Sequence, residues 1–139
     1  MKTFVCLLSG LLLIPLPAIA QSQTLPQIVP SAPAPPPLLN VTPVNARISI
    51  RMINETGAAI DYEVIGDTQY RTLGGNQAIT LQSLATPTTL TFRRQDGGLL
   101  QASLRSLTTG LELRLSATTD FGRDRTALTI DEQGGVFLN

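Results

Sequence analysis

The side chains best placed to do chemistry in this chain are carboxylates. Asp61 and Glu63 alternate with Ile60, Tyr62 and Val64, so in a strand they share one face about 7 Å apart. That separation suits a carboxylate pair acting on a glycosidic bond, with Asp67 as a nearby third acid. Asp120, Asp124 and Asp131 lie in and after the most polar loop, Asp120-Phe121-Gly122-Arg123-Asp124-Arg125, and carboxylate oxygens are the ligands Ca²⁺ takes in an exported domain.

Each set also has a plainer reading. The face carrying Asp61 and Glu63 is the solvent face of its strand, and Arg51 is expected across from Asp61. A calcium loop has denser alternating acids, and here Arg123 and Arg125 offer local neutralisation. No catalytic and no cofactor-binding residue is therefore assigned, and Asp120, Asp124 and Asp131 stand as the metal candidates. Ser, Thr and Tyr hydroxyls are abundant, but the chain has no His, and its single Cys (Cys6) and single Lys (Lys2) both precede residue 20. A product lacking those twenty residues has nothing to activate a hydroxyl nucleophile, so it is read as a non-enzyme.

The start of the chain predicts its removal. Lys2 is followed by an apolar run from Phe4 to Ile19, broken by Ser9, Gly10, Pro15 and Pro17, and Ala18-Ile19-Ala20 places small residues at a cleavage site. Residues 1–20 read as a Sec signal peptide directing the chain to the periplasm or the cell exterior. Nothing later is long and apolar enough to span a bilayer. Basic and acidic residues number 10 each, for a formal net charge of zero. This balance argues against nucleic acid, whose phosphates call for clustered positive charge.

Residues 21–43 are rich in Pro, Ala, Ser and Gln and read as a disordered, extended linker. Its spaced prolines, Pro30 to Pro33 and Pro33 to Pro36, would also suit a groove that reads polyproline. Asn40-Val41-Thr42 and Asn54-Glu55-Thr56 match the glycosylation acceptor pattern, and in a bacterial protein they are linker and turn residues.

Residues 44–139 alternate apolar and polar residues throughout, which predicts an all-β domain: an antiparallel, immunoglobulin-like β-sandwich, with a small β-barrel as the alternative. Side-chain parity pairs Met52 with Ile60, Ile50 with Tyr62 and Ile48 with Val64 in a first hairpin, and sets Arg51 opposite Asp61. A second hairpin with a three-residue Asp96-Gly97-Gly98 loop would pair Leu90 with Leu104, Phe92 with Ala102 and Arg94 with Leu100. Arg94 would then cover Leu100 at the hairpin tip, with its head in water. The Leu111–Ala117 strand completes a meander. Thr68–Leu73, Gln77–Gln82, Thr126–Ile130 and Val136–Leu138 supply the remaining strands.

The series from Ile60 to Thr68, then Arg71-Thr72-Leu73, then Pro87 to Leu100, and finally Gly134-Gly135-Val136-Phe137-Leu138-Asn139 resembles a group of small exported cyanobacterial proteins with no assigned activity. The resemblance spans the folded part and implies a β-rich, exported, non-enzymatic domain. The functional expectation is a binding or structural module of the cell envelope, with an envelope protein or polysaccharide as partner. It would act by strand addition at open edges near Tyr70, Ile79 or Val136–Leu138. A carboxylate-dependent polysaccharide hydrolase using Asp61, Glu63 or Asp120 and a calcium-stabilised adhesion domain are the alternatives.

Overall fold

The computed structural model describes residues 32–139. The expected leader and residues 21–31 of the proline-rich segment lie outside these residues. In chain order the strands are β1 (Leu39–Asn40), β2 (Arg47–Asn54), β3 (Ile60–Val64), β4 (Arg71–Leu73), β5 (Ala78–Ala85), β6 (Thr88–Arg94), β7 (Leu99–Leu107), β8 (Gly110–Thr118), β9 (Ala127–Ile130) and β10 (Gly135–Leu138), with one turn of 3-10 helix at Phe121–Arg123. They form a six-stranded sheet, β1-β10-β9-β6-β3-β4, and a four-stranded sheet, β5-β2-β8-β7.

The fold is the expected sandwich and not a barrel. Period-two patterning builds it: along β2, Ile48, Ile50, Met52 and Asn54 are buried while the residues between them are not, as a pleated strand with one dry face requires. Ile48, Ile50, Met52, Leu111, Leu113 and Leu115 from one sheet meet Ile60, Tyr62, Val64, Leu90, Phe92, Leu128 and Ile130 from the other in a single apolar cluster. Removing one of these buried Leu or Ile side chains to Ala should cost about 2–5 kcal/mol.

Strand pairing departs from expectation in three places. The first hairpin does not form: β2 pairs antiparallel with β5 and parallel with β8, while β3 pairs with β4 and β6. Their apolar sides do face one another, but across the core and not along a ladder. Asp61 consequently lies opposite Arg93 and Thr72, not Arg51. The reason sits in the connection. Asn54 is fully buried and Thr56 nearly so, at 0% and 3% exposure. Asn54 Nδ2 donates to the carbonyls of Ala58 (2.8 Å) and Gly74 (2.9 Å), and its Oδ1 accepts from the Thr56 backbone N–H at 2.9 Å. These bonds hold an arch that carries the chain from one sheet to the other. Asn54 is thus a structural residue closed to glycosylation in the folded domain.

The second hairpin is also an arch. β6 lies between β3 and β9, and among the described residues β7 pairs only with β8. The turn Arg94–Gly97 closes with a 3.2 Å bond from the Gly97 N–H to the Arg94 carbonyl, with Gly97 at φ +74°. Arg94 is largely covered, at 17% side-chain exposure, and pairs with Asp96 at 2.6 Å, so its head is not in open water as expected.

The third departure is at the start. The folded part was expected from residue 44, yet Leu38 N–H donates to the Val136 carbonyl at 2.8 Å, β1 pairs with β10, and Val41 is 6% exposed. Gly134, at φ +87°, admits this segment, since a Cβ there would run into the Val41 carbonyl oxygen. The β7–β8 step of the expected meander forms, and β9 and β10 pair as a hairpin.

Candidate functional site

The structure scatters the acids. Asp61 and Glu63 do share the outer face of β3, but Asp61 accepts from Gln95 Nε2 (2.8 Å) and Thr72 Oγ1 (2.9 Å). Those two hydrogen bonds, Gln95 first, hold its carboxyl below the usual carboxylate range, with Arg93 adding charge. Glu63 lies opposite Thr91. Asp67 lies exposed in the turn after β3, where its N–H donates to the Val64 carbonyl at 3.1 Å. Asp120 caps the 3-10 turn through Gly122 N–H at 2.9 Å. Asp131 accepts from the N–H groups of Gln133 (2.9 Å) and Gly135 (2.7 Å), closing the β9–β10 hairpin. Asp124 accepts from Leu100 N–H at 2.8 Å. Asp120, Asp124 and Asp131 thus each serve different backbone N–H groups, and among the described residues no cluster of metal-ligating side chains is formed.

A groove of about 460 Å³ lies between the Arg94–Gly98 turn and the Asp124–Thr126 segment, lined in part by Asp61, Arg93, Arg94, Gln95, Asp124 and Arg125. A shallower recess of about 240 Å³ adjoins it. There Tyr70 is 65% exposed, and the Arg93 guanidinium lies 5.9 Å from its ring centre, within cation–π range.

The other candidate is an edge. Sheet order leaves β1, β4, β5 and β7 at the margins. An edge strand presents unpaired N–H and C=O groups that another strand can use. β1 and β4 have two and three residues, too short to template much. β5 is broken by a bulge: its register with β2 slips between Ile48 and Ile50, and Ser83 sits at φ +56°. The terminal strand expected to be open, β10, is an inner strand with β1 on its far side, whereas Tyr70 and Ile79 do lie beside or in edge strands.

β7 is different. Its nine residues keep unbroken register with β8, from Leu99↔Thr118 to Leu107↔Gly110. In an antiparallel pair, alternate residues point their backbone groups toward and away from the partner. The Leu107–Gly110 closure of the hairpin turns Leu107, Arg105, Ser103, Gln101 and Leu99 toward β8, leaving Leu100, Ala102, Leu104 and Ser106 facing outward. Leu100 is satisfied on that side: Asp124 Oδ1 accepts its N–H, and its carbonyl accepts from Arg125 N–H at 2.7 Å. The loop carrying Asp124 and Arg125 therefore imitates a neighbouring strand for one residue pair and then leaves. Among the described residues no bond reaches the outward groups of Ala102, Leu104 and Ser106. Beside them is a notch of about 380 Å³ whose lining includes Leu38, Ala102, Ser103, Arg123 and Leu138, with Leu38 at 65% exposure.

Compared with family models, with curated proteins and with solved structures, the chain matches none. The sequence reading missed the β7 edge because it placed β7 inside a meander between β6 and β8. A signal was present: Leu99–Leu107 carries a single charge, Arg105, and no Pro, so it lacks the usual protections of an edge.

Proposed function

We propose that the chain is a non-catalytic binding module of the cell envelope that takes up an extended segment of a partner polypeptide as an added strand at β7. The observation that carries this reading is the run of outward backbone groups at Ala102, Leu104 and Ser106, flanked by exposed Leu38 and unobstructed by bulge or proline. Main-chain hydrogen bonds supply affinity in such docking, and pockets for alternate side chains supply selectivity. The notch beside Ala102 offers one such pocket. The envelope location rests on the sequence reading of residues 1–20, and the resemblance to small exported proteins agrees with it. A general acid for glycoside cleavage needs a raised pKa, and Asp61 is held in the opposite direction by Gln95 and Thr72, which counts against Asp61 as that acid.

Retention of envelope polypeptides from the source organism on the immobilised exported domain tests the reading. Ser106→Pro removes one outward N–H without touching the β8 ladder, a position where an edge strand tolerates Pro. Retention should fall at least tenfold with an unchanged circular dichroism spectrum, and equal retention by the variant would count against β7. A second reading, a saccharide resting on the Tyr70–Arg93 platform beside Asp61 and Gln95, is favoured by the exposure of that ring. Tyr70→Ala should abolish envelope polysaccharide binding if it holds and leave it unchanged if it does not.

A further inference from the structure

We infer that the strand β7 accepts is β7 of a second copy of this chain, in an antiparallel pair whose two-fold axis passes through Leu104. This rests on the reading of β7 as the binding edge and names its occupant. The outward run is bounded at one end by the Asp124–Arg125 cap on Leu100 and at the other by the Thr108–Thr109 turn. The free positions Ala102, Leu104 and Ser106 are symmetric about Leu104, so the run matches its own reverse.

Three registers place more than one pair of free outward positions opposite one another, and two of them fail. An axis at residue 103 sets Ser106 against the partner's Leu100, whose backbone groups are already held by Asp124 and Arg125. An axis at residue 105 sets Arg105 directly opposite the partner's Arg105, and like charges directly opposite are destabilising. With the axis at Leu104, Ala102 meets the partner's Ser106, Leu104 meets Leu104, and every free position in both copies is used, giving about six main-chain bonds. On the outer face Arg105 then lies opposite a neutral Ser103. The same register continues the inward, partly buried row of Ala102 and Leu104 across the junction, joining two four-stranded sheets into one. Without Lys2 the chain carries nine Arg against ten Asp and Glu, a near balance that puts little long-range repulsion between the copies.

The test is register-specific. In the chain from residue 21 onward, which has no cysteine of its own, Ser103→Cys and Arg105→Cys are made as separate variants. Opposed non-hydrogen-bonded residues have Cα atoms about 4.5 Å apart, within the disulfide range. Under mild oxidation an equimolar mixture of the two variants should give a covalent dimer joining one of each, and neither variant alone should link. Linking by Ser103→Cys alone would place the axis at 103, linking by Arg105→Cys alone would place it at 105, and either result overturns the inference. Sedimentation of the unsubstituted chain should show a concentration-dependent dimer, with Ser106→Pro weakening association at least tenfold. A chain that stays monomeric up to about 1 mM, where Kd-limited association would still register, also overturns self-pairing. That outcome is distinguishable from failure of strand addition itself, which is judged by the effect of Ser106→Pro on retained envelope polypeptides.

Discussion

The two edges of the four-stranded sheet are built on the same central pair, β2 and β8, and they end in opposite ways. β5 is interrupted in its middle: two of its residues stand against Ser49 alone, Ser83 takes a left-handed backbone, and Arg47 Nη1 reaches the Ser83 carbonyl at 2.6 Å. β7 is regular along its whole length and, among the described residues, is protected at one point only, by Asp124 and Arg125 at Leu100. A bulge twists an edge away from potential partners, whereas a cap at one end merely decides where a partner must stop. The difference teaches that openness at β7 is local and directional.

The largest expected effect tests what the edges share. Asn54 ends β2 and ties it to the Leu73–Gly74 turn that leads into β5, and its N–H donates to the Gln77 carbonyl at 2.8 Å. Asn54→Ala leaves buried carbonyls without donors, so it should destabilise the domain by about 3 kcal/mol in a urea or thermal melt. The loss of amide protection should be greater in β5 than in β7. Equal loss on both sides would break the distinction drawn between the two edges.

Next in size is the cap. Asp124→Ala removes the acceptor from Leu100 N–H and should cost about 1–2 kcal/mol. It also frees the outward Leu100 N–H while Arg125 still holds the Leu100 carbonyl, so soluble association should increase or become less ordered. Asp124→Asn keeps an acceptor oxygen and should lose less than half as much. If Asp124 instead held a metal, EDTA would lower the melting temperature of the unsubstituted chain, and none of that change is expected.

The bulge gives a smaller change. Ser83→Gly relieves a left-handed φ at a site where Gly is at ease, a gain of about 1 kcal/mol set against a similar loss of chain entropy. The net effect in a melt should be within about 0.5 kcal/mol, and a loss above about 1 kcal/mol would show that the Ser83 side chain does more than fill the turn.

The smallest is the pH response of the turn that feeds β7. Asp96 is held below the ordinary carboxylate range by Gly98 N–H first and Arg94 second, and Asp61 by Gln95 and Thr72. A carboxyl whose pKa is lowered on folding stabilises the fold above its unfolded pKa, and that contribution is lost as pH falls through the folded value. Stability should therefore hold down to about pH 4 and decline below it. Gln95→Ala should raise the Asp61 pKa, followed by NMR, and Asp96→Asn should flatten the acid limb. An Asp61 pKa unmoved by Gln95→Ala would mean that the hydrogen bond seen here does not set it.

How far the sequence reaches can be judged from these same residues. Alternation placed the inward faces correctly: Ile48, Ile50, Met52, Ile60, Tyr62, Val64, Leu90, Phe92, Leu111, Leu113 and Leu115 are all buried. It could not say whether two apolar faces that meet do so along a ladder or across the core, because parity is the same in both cases. Asn54 and Thr56 held the answer, since a buried Asn in an arch leaves no room for a tight turn, but nothing in a single sequence marks an Asn as buried. Asp120, Asp124 and Asp131 suggested a cation because their type is right for it. Their backbone partners, Gly122, Leu100, Gln133 and Gly135, depend on turns that composition does not resolve. The β7 edge was hidden for the first of these reasons, as a strand assigned two neighbours cannot be read as an edge.

Residue-resolved amide hydrogen exchange of the chain from residue 21 onward, measured from dilute to concentrated solution, tests the open β7 edge most directly. When dilute, Leu100, Gln101, Ser103 and Arg105 should be protected while Ala102, Leu104 and Ser106 exchange rapidly, and those three should gain protection together as concentration rises. Protection of all seven amides that does not vary with concentration would mean the edge is already covered within one chain, and would contradict the account.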